Sequence, residues 1–243
     1  MSNQDQSWGI LPTQQDEDNT RAHAVSDPAG YHAGIAGREL HWFDGNTQSW
    51  ISQTDTGEWA GWHDRDASSA HADASWQPWS HPLDDSLAPY YRWFVDGQTN
   101  ACFNLIDRHV LSGRGDQIAI VFEGDRWDPS KNDGRGGPVH EQRVTYRELL
   151  VEVALRTRVL EQADLSCGDR VALNLPNVLE QIFYILACQR LGVIYTPVFG
   201  GFSAKTLSDR IHDAGAKVVI TADGGYRNAE VVPYKSTYTD PAL

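Results

Sequence analysis

The sequence lacks the features that would place it in several large classes at once. It contains no apolar run of roughly 18 residues, and its N-terminus, MSNQDQSW, has neither a basic nor an apolar stretch. A membrane span and a signal peptide are therefore both disfavoured. Only three cysteines occur, Cys102, Cys167 and Cys188, an odd count without a CxxC pair. Reduced thiols in a cytoplasmic protein account for them best. Basic residues are scarce, with 20 Lys and Arg against 33 Asp and Glu, a formal charge of −13. Nucleic acid, a polyanion whose binding needs a basic patch, is excluded as the natural partner. The chain also lacks GxxxxGK[ST], GxSxG and HExxH, and the Ser, His and Asp of a nucleophilic triad occur only as isolated residues. No catalytic residue and no metal ligand is assigned.

What is present divides near residue 98. Residues 1–98 hold 15 acidic and 4 basic side chains, net −11; residues 99–243 hold 18 and 16, net −2. Eight of the nine tryptophans and six of the nine histidines lie in the first part, and no lysine precedes Lys131. Such a step in composition marks a boundary between segments of different role. Residues 1–20 are polar, acidic and aperiodic, the pattern of a mobile tail. Beyond them Trp42, Phe43, Trp50, Trp59, Trp62, Trp76 and Trp79 are scattered among Gly, Asp, Ser and Asn with no helical or strand period. A solvated linker has no need of such rings, so they are expected to anchor this irregular extension over a surface. His41, His63, His71 and His81 are separated by 22, 8 and 10 residues, spacings that match no common zinc site. The acidic pairs Asp84-Asp85 and Asp16-Glu17-Asp18 read as solvated charge.

The second part has regular grammar. Cys102, Phe103, Leu105, Ile106 and Val110 form an apolar helical stripe, and Gln117–Phe122 reads as a strand. The Gly-, Pro- and Asn-rich residues 127–138 form a loop, with a hairpin insert at Asp133–Gly137. Thr145 and Glu148 make a capping box, and Asn177 with Glu180 reads as the start of a second helix that ends at Gly192. Arg170–Leu175, Val193–Val198 and Lys217–Thr221 are short apolar strands, with a helix from Ser203 to Ala214 before the last. Strand, helix, strand, helix, strand with apolar strands predicts part of a doubly wound α/β parallel sheet.

In such a sheet ligands meet the loops at the carboxyl ends of the strands. Phe199-Gly200-Gly201-Phe202 is one of these loops. Its glycines fit either close approach of a ligand or a turn requiring positive φ. Ala222–Arg227 is the other, where Arg227 fits either a phosphate clamp or an ordinary surface position.

The residues from Gly168 onward resemble the N-terminal domain of AMP-forming acetyl- and propionyl-CoA synthetases. The resemblance rests on GDRVA, on LACQRLG, on FGGFS and on VITADGGYR, with WFVDGQTNACFNLIDRH from Trp93 to His109 as a further mark; it covers about residues 85–243. It implies the adenylate-forming enzyme fold, and formation of a CoA thioester from a short-chain carboxylic acid through an acyl-adenylate, with ATP, Mg²⁺ and CoA. It also implies that Phe199, Gly200, Gly201 and Arg227 hold the nucleotide end of CoA. Where the family commonly has a second arginine, this chain has Glu230. The long acidic preface is most like the fused propionyl-CoA synthase, whose ligase region precedes hydratase and NADPH-dependent reductase regions; NADPH enters only if that reductase is present. The ATP loop, acyl pocket, adenine motif and C-terminal lid of the family are not among these residues. The chain is thus expected to be an incomplete domain, inactive without the remainder of its own polypeptide, or alternatively an interaction module on an α/β scaffold. A homo-oligomer is left open.

Overall fold

The computed structural model describes residues 13–45, 48–53, 59–61 and 77–243. The chain divides into two compact units, Met1–Thr99 and Asn100–Leu243.

In the first unit, helix α1 (Gln14–Ser26) begins where the Thr13 hydroxyl accepts the Asp16 amide. Residues 14–20, expected within a polar tail, are therefore helical. The helix buries no side chain, which is why no apolar period betrayed it. Its support is local: a cap and the i,i+4 pair Arg21–Glu17 at 2.5 Å. Asp27 closes α1 and caps α2 (Pro28–Glu39), its carboxylate accepting the Gly30 amide at 2.9 Å.

Strands β1 (Trp42–Asp44), β2 (Ser49–Gln53) and β3 (Trp59–Gly61) form an antiparallel sheet, and β4 (His81–Asp84) pairs with β5 (Arg92–Val95). The described extension is thus built of short regular elements rather than irregular chain. Trp42, Trp79 and Phe94 meet with ring centroids 4.9–5.3 Å apart, against Ala36 of α2. The Trp42 indole N–H donates to the Ala36 carbonyl at 2.9 Å, so the buried ring keeps its polar edge satisfied. Trp50 lies on Phe43 at 5.3 Å. Trp62, Trp76, His63 and His71 lie outside the described residues. His41 is buried and His81 exposed. Asp84 is more than solvated charge. It accepts the Ser86 amide at 3.0 Å and pairs with Arg92, its partner across the strands, and these contacts hold its carboxyl well below the ordinary range.

The second unit opens with a helical stretch from residue 101, which widens into a π-type turn at Phe103–Asp107 and leaves helical geometry at Ser112 and Gly113, where φ of Gly113 is 80°. Cys102 and Ile106 are fully buried, but Leu105 is 52% exposed. The wider turn carries Leu105 off the apolar stripe. Strand β6 (Ile118–Glu123) is followed by β7 (Trp127–Asp128), the short turn α3 (Lys131–Gly134), in which Asn132 and Asp133 are left-handed, β8 (Gly137–Pro138) and β9 (Glu141–Thr145). β7 pairs with β8 and β6 with β9, both antiparallel. Helix α4 (Tyr146–Gln162) starts with the expected capping box of Thr145 and Glu148.

Next come β10 (Arg170–Asn174), α5 (Leu179–Leu191), β11 (Ile194–Pro197), α6 (Ala204–Ala214) and β12 (Val218–Thr221). The strands are parallel in the order β11-β10-β12. Val171 and Leu173 of β10 face a core made with Leu149 and Val153 of α4 and Phe183 and Leu186 of α5. On the opposite face Val198, Leu207 and Ala242 form a second core, packed with Ala204 and Ile211 of α6. All four residues from Val171 to Asn174 are buried, as a strand covered on both faces requires. The doubly wound α/β arrangement is thus present in its first three strands. Helix α5 starts one residue later than its sequence suggests: extended Val178 is the N-cap, without a side-chain cap, and Asn177 stays outside the helix. Gly192 and Gly215 end α5 and α6 in left-handed geometry at φ 71° and 59°.

The TNACFNLIDRH motif is structural in its polar residues. Asn100 accepts the Phe103 amide through Oδ1 and donates through Nδ2 to the Gln189 and Arg190 carbonyls, closing the end of α5. Asp107 then pairs with Arg190 at 2.6 Å. His109 packs against Tyr146 with the rings tilted and their centres 4.7 Å apart, and it contacts Arg114.

Candidate functional site

β10 is followed by β11 on one side and by β12 on the other, so the chain reverses its direction of winding at the carboxyl end of β10. This is where an open α/β sheet presents its loops to a ligand. Beneath the edge lies a buried polar node. Asn174 donates to the Thr239 hydroxyl at 3.0 Å, and Thr221 lies 2.8 Å from that same oxygen. These bonds tie the ends of β10 and β12 to the helical turns Lys235–Thr239, and so fix the segment that Tyr234 begins.

The sequence-predicted residues Phe199, Gly200, Gly201 and Arg227 converge. β11 delivers Phe199, 66% exposed, into a turn closed by the Phe202 amide on the Phe199 carbonyl at 3.0 Å. Ser203 then caps α6 by accepting the Thr206 amide at 3.2 Å. Arg227 does not lie on a loop. It ends β13 (Gly225–Arg227), which forms a hairpin with β14 (Glu230–Val232). Its guanidinium sits 5.6 Å from the Phe199 ring centre and donates a long bond of 3.5 Å to the Gly200 carbonyl. A cation held over a ring by about 0.5–1 kcal/mol is restrained without being consumed, and its remaining N–H groups stay available.

Neither Gly200 nor Gly201 has positive φ. What they provide is room. A Cβ on Gly201 would come within 2.9 Å of the Arg227 guanidinium, and one on Gly200 would overlap the Tyr234 ring. Tyr234 is buried; that burial pushes its hydroxyl up from its ordinary value, with Arg227 offsetting part of the rise. Tyr234 belongs to this site and no local sequence signal marks it.

The hairpin turn places Asn228 and Ala229 at φ 53° and 63°. Two left-handed central residues make a tight turn suited to a hairpin, but for alanine the conformation costs about 1 kcal/mol. The Ala229 amide is held by the Asp125 carboxylate at 2.6 Å, and Arg126 lies 5.4 Å over the Tyr226 ring. Glu230 stands opposite Arg227 in the register, with no ion pair between the two.

A cavity of about 890 Å³ lies beside this hairpin, between the β6–β9 pair, α4 and the start of α5. Arg156 lines it, pairing with Glu152 at 2.6 Å and lying 5.6 Å from the Phe183 ring centre. Tyr226 lines the cavity, while its neighbour Arg227 points to the other side as strand alternation demands. Phe199, Gly200, Gly201 and Arg227 are not in its walls.

The arrangement around Arg227 is suited to a phosphorylated nucleotide: a planar cation beside an exposed ring. No helix among the described residues is long and apolar enough to cross a membrane.

Comparison with known proteins gives two family matches. Residues 108–241 match the family described as AMP-binding enzyme, and residues 68–105 match that described as acetyl-coenzyme A synthetase N-terminus. The likeness therefore begins upstream of residue 85, where the sequence motifs alone place it. An acetyl-coenzyme A synthetase of Methylobacillus flagellatus is 44% identical over 178 residues, covering 73% of this chain and 25% of the relative. One of Rhodopirellula baltica is 42% identical over 168 residues, 69% of this chain and 22% of the relative. One of Mycobacterium tuberculosis H37Rv is 43% identical over 171 residues, 70% and 24%. The chain spans about a quarter of the length of these curated relatives.

Proposed function

This chain belongs to the AMP-binding enzyme family, and from that premise we propose that it supplies the N-terminal part of an AMP-forming acyl-CoA ligase. In the complete reaction a short carboxylate attacks the α-phosphate of ATP, giving an acyl-adenylate and pyrophosphate. The CoA thiol then displaces AMP. The observation that carries the reading is the convergence of Arg227, Phe199 and the glycine backbone at the switch point of the sheet. These residues hold the nucleotide end of CoA, the guanidinium against phosphate and the ring against the base. ATP and Mg²⁺ enter this proposed reaction through parts of the ligase that are not among these residues.

The acid is acetate, propionate or 3-hydroxypropionate. The acidic, Trp-rich first part, net −11, favours the fused propionyl-CoA synthase arrangement and hence 3-hydroxypropionate. The test is acid-dependent ATP–pyrophosphate exchange on the full-length polypeptide with the three acids side by side. Exchange driven by 3-hydroxypropionate upholds this choice. Exchange with acetate or propionate alone removes the fusion and keeps the ligase, and no exchange with any acid removes the ligase.

A second reading is favoured by the division of the chain into two compact units. Residues 1–98 act as a docking module for other domains of the polypeptide or a second subunit, with 99–243 as the α/β scaffold. Deleting residues 1–84 then disturbs assembly and spares adenylation; loss of adenylation contradicts it.

A further inference from the structure

The hairpin that presents Arg227 is short, three residues on each strand, and its turn contains an alanine in left-handed geometry. Left to itself such a hairpin is only marginally stable and could not hold a guanidinium in one place. It is tied instead to a segment about a hundred residues earlier. Asp125 lies between β6 and β7, in a stretch pinned on both sides. The Gly124 amide donates to the His140 carbonyl at 2.8 Å, and the Val139 amide donates to the Arg126 carbonyl at 2.7 Å. From this fixed base the Asp125 carboxylate accepts the Ala229 amide at 2.6 Å. Arg126 contacts the same hairpin through the Tyr226 ring, whose centre is 5.4 Å away.

We propose that Asp125, assisted by Arg126, is a positioning residue for CoA recognition: it holds the Asn228-Ala229 turn and thereby fixes Arg227 against Phe199 and Gly200. Asp125 does not touch the ligand and acts only through the hairpin. A carboxylate suits the task because a charged acceptor on a backbone N–H makes the stronger, shorter bond. An exposed loop carboxylate with no such contact would instead be exchangeable for alanine without effect. The proposal rests on the reading of Arg227 as a CoA contact, and its test separates the two.

CoA binding to the full-length polypeptide is measured by calorimetry for the wild type, Asp125→Ala, Asp125→Asn and Arg126→Ala, with amide hydrogen exchange followed at Ala229 and in β10. Asp125→Ala is expected to weaken CoA about tenfold by loosening the geometry of Arg227. Exchange at Ala229 rises while β10 remains protected. Asp125→Asn, which keeps a carbonyl acceptor, recovers most of both, and Arg126→Ala gives a smaller loss in the same direction. Wild-type exchange at Ala229 in Asp125→Ala overturns the proposal. So does wild-type CoA affinity in a variant whose Ala229 amide has been released. If the wild-type full-length polypeptide binds no CoA, the assignment of Arg227 to CoA falls, and the proposal as a device of CoA recognition falls with it.

Discussion

The two units are held by different means. Residues 100–243 are built on aliphatic side chains at regular spacing, with Val171, Leu173, Val153, Leu160 and Leu186 meeting in one core between helices and a parallel sheet. Residues 1–99, where described, gather Trp42, Trp79 and Phe94 around the small Ala36, brought from four separate elements or loops. In the first case stability is distributed over many interchangeable contacts. In the second it depends on a few large rings, one of which also satisfies a buried N–H. The difference teaches which substitutions each unit tolerates.

The largest expected effect is in the aromatic cluster. Trp42→Ala is expected to cost about 3–5 kcal/mol, read as increased hydrogen exchange across α2 and β1. Leu173→Ala in β10 is expected to cost about 2–5 kcal/mol and to be read in β10–β12. If either substitution loosens both units equally, the contrast between them fails. Asn100→Ala comes next, because it strips the Gln189 and Arg190 carbonyls of their donor and the Phe103 amide of its acceptor. A loss of about 1–3 kcal/mol by denaturant titration is expected.

A smaller effect depends on pH. Burial, with the Arg114 and Arg108 charges, lowers His109 to about 4 from an ordinary 6.5. The unfolded chain therefore takes up the proton first. The contribution is complete above about pH 6.5 and is lost as pH falls towards 4. His109→Gln should flatten the fall of the second unit's denaturation midpoint over that window, and an unchanged slope would show that His109 is not its source. The smallest effect is chemical. Burial pushes Cys102 and Cys188 up to about 11, whereas Cys167 is exposed. A thiol reagent on the native chain should modify Cys167 alone until unfolding releases the other two.

The same contrast explains what could be read in the sequence. Helices α4 and α6 and strands β10–β12 follow from apolar period, capping residues and terminal glycines, and the structure has them close to those bounds. The π-type turn around Leu105 was hidden because period analysis assumes 3.6 residues per turn. Helix α1 was hidden because it buries nothing. The cluster of Trp42, Trp79 and Phe94 has no period to find, since its members come from different elements. At the candidate site Phe199, Gly200, Gly201 and Arg227 were legible, but the purpose of the glycines was not. The space they leave is for Tyr234 and Arg227, which are 34 and 26 residues away from Gly200 and Gly201 respectively in the chain. Asp125 was still less legible, because its one informative contact spans 104 residues.

The central claim, that the edge around Arg227 receives CoA and takes no part in adenylation, is tested most directly by Arg227→Ala in the full-length polypeptide. The expected result is a KM for CoA raised about tenfold or more, from loss of a charge-assisted phosphate contact, with acid-dependent ATP–pyrophosphate exchange unchanged. Loss of exchange with an unaltered KM for CoA would contradict it.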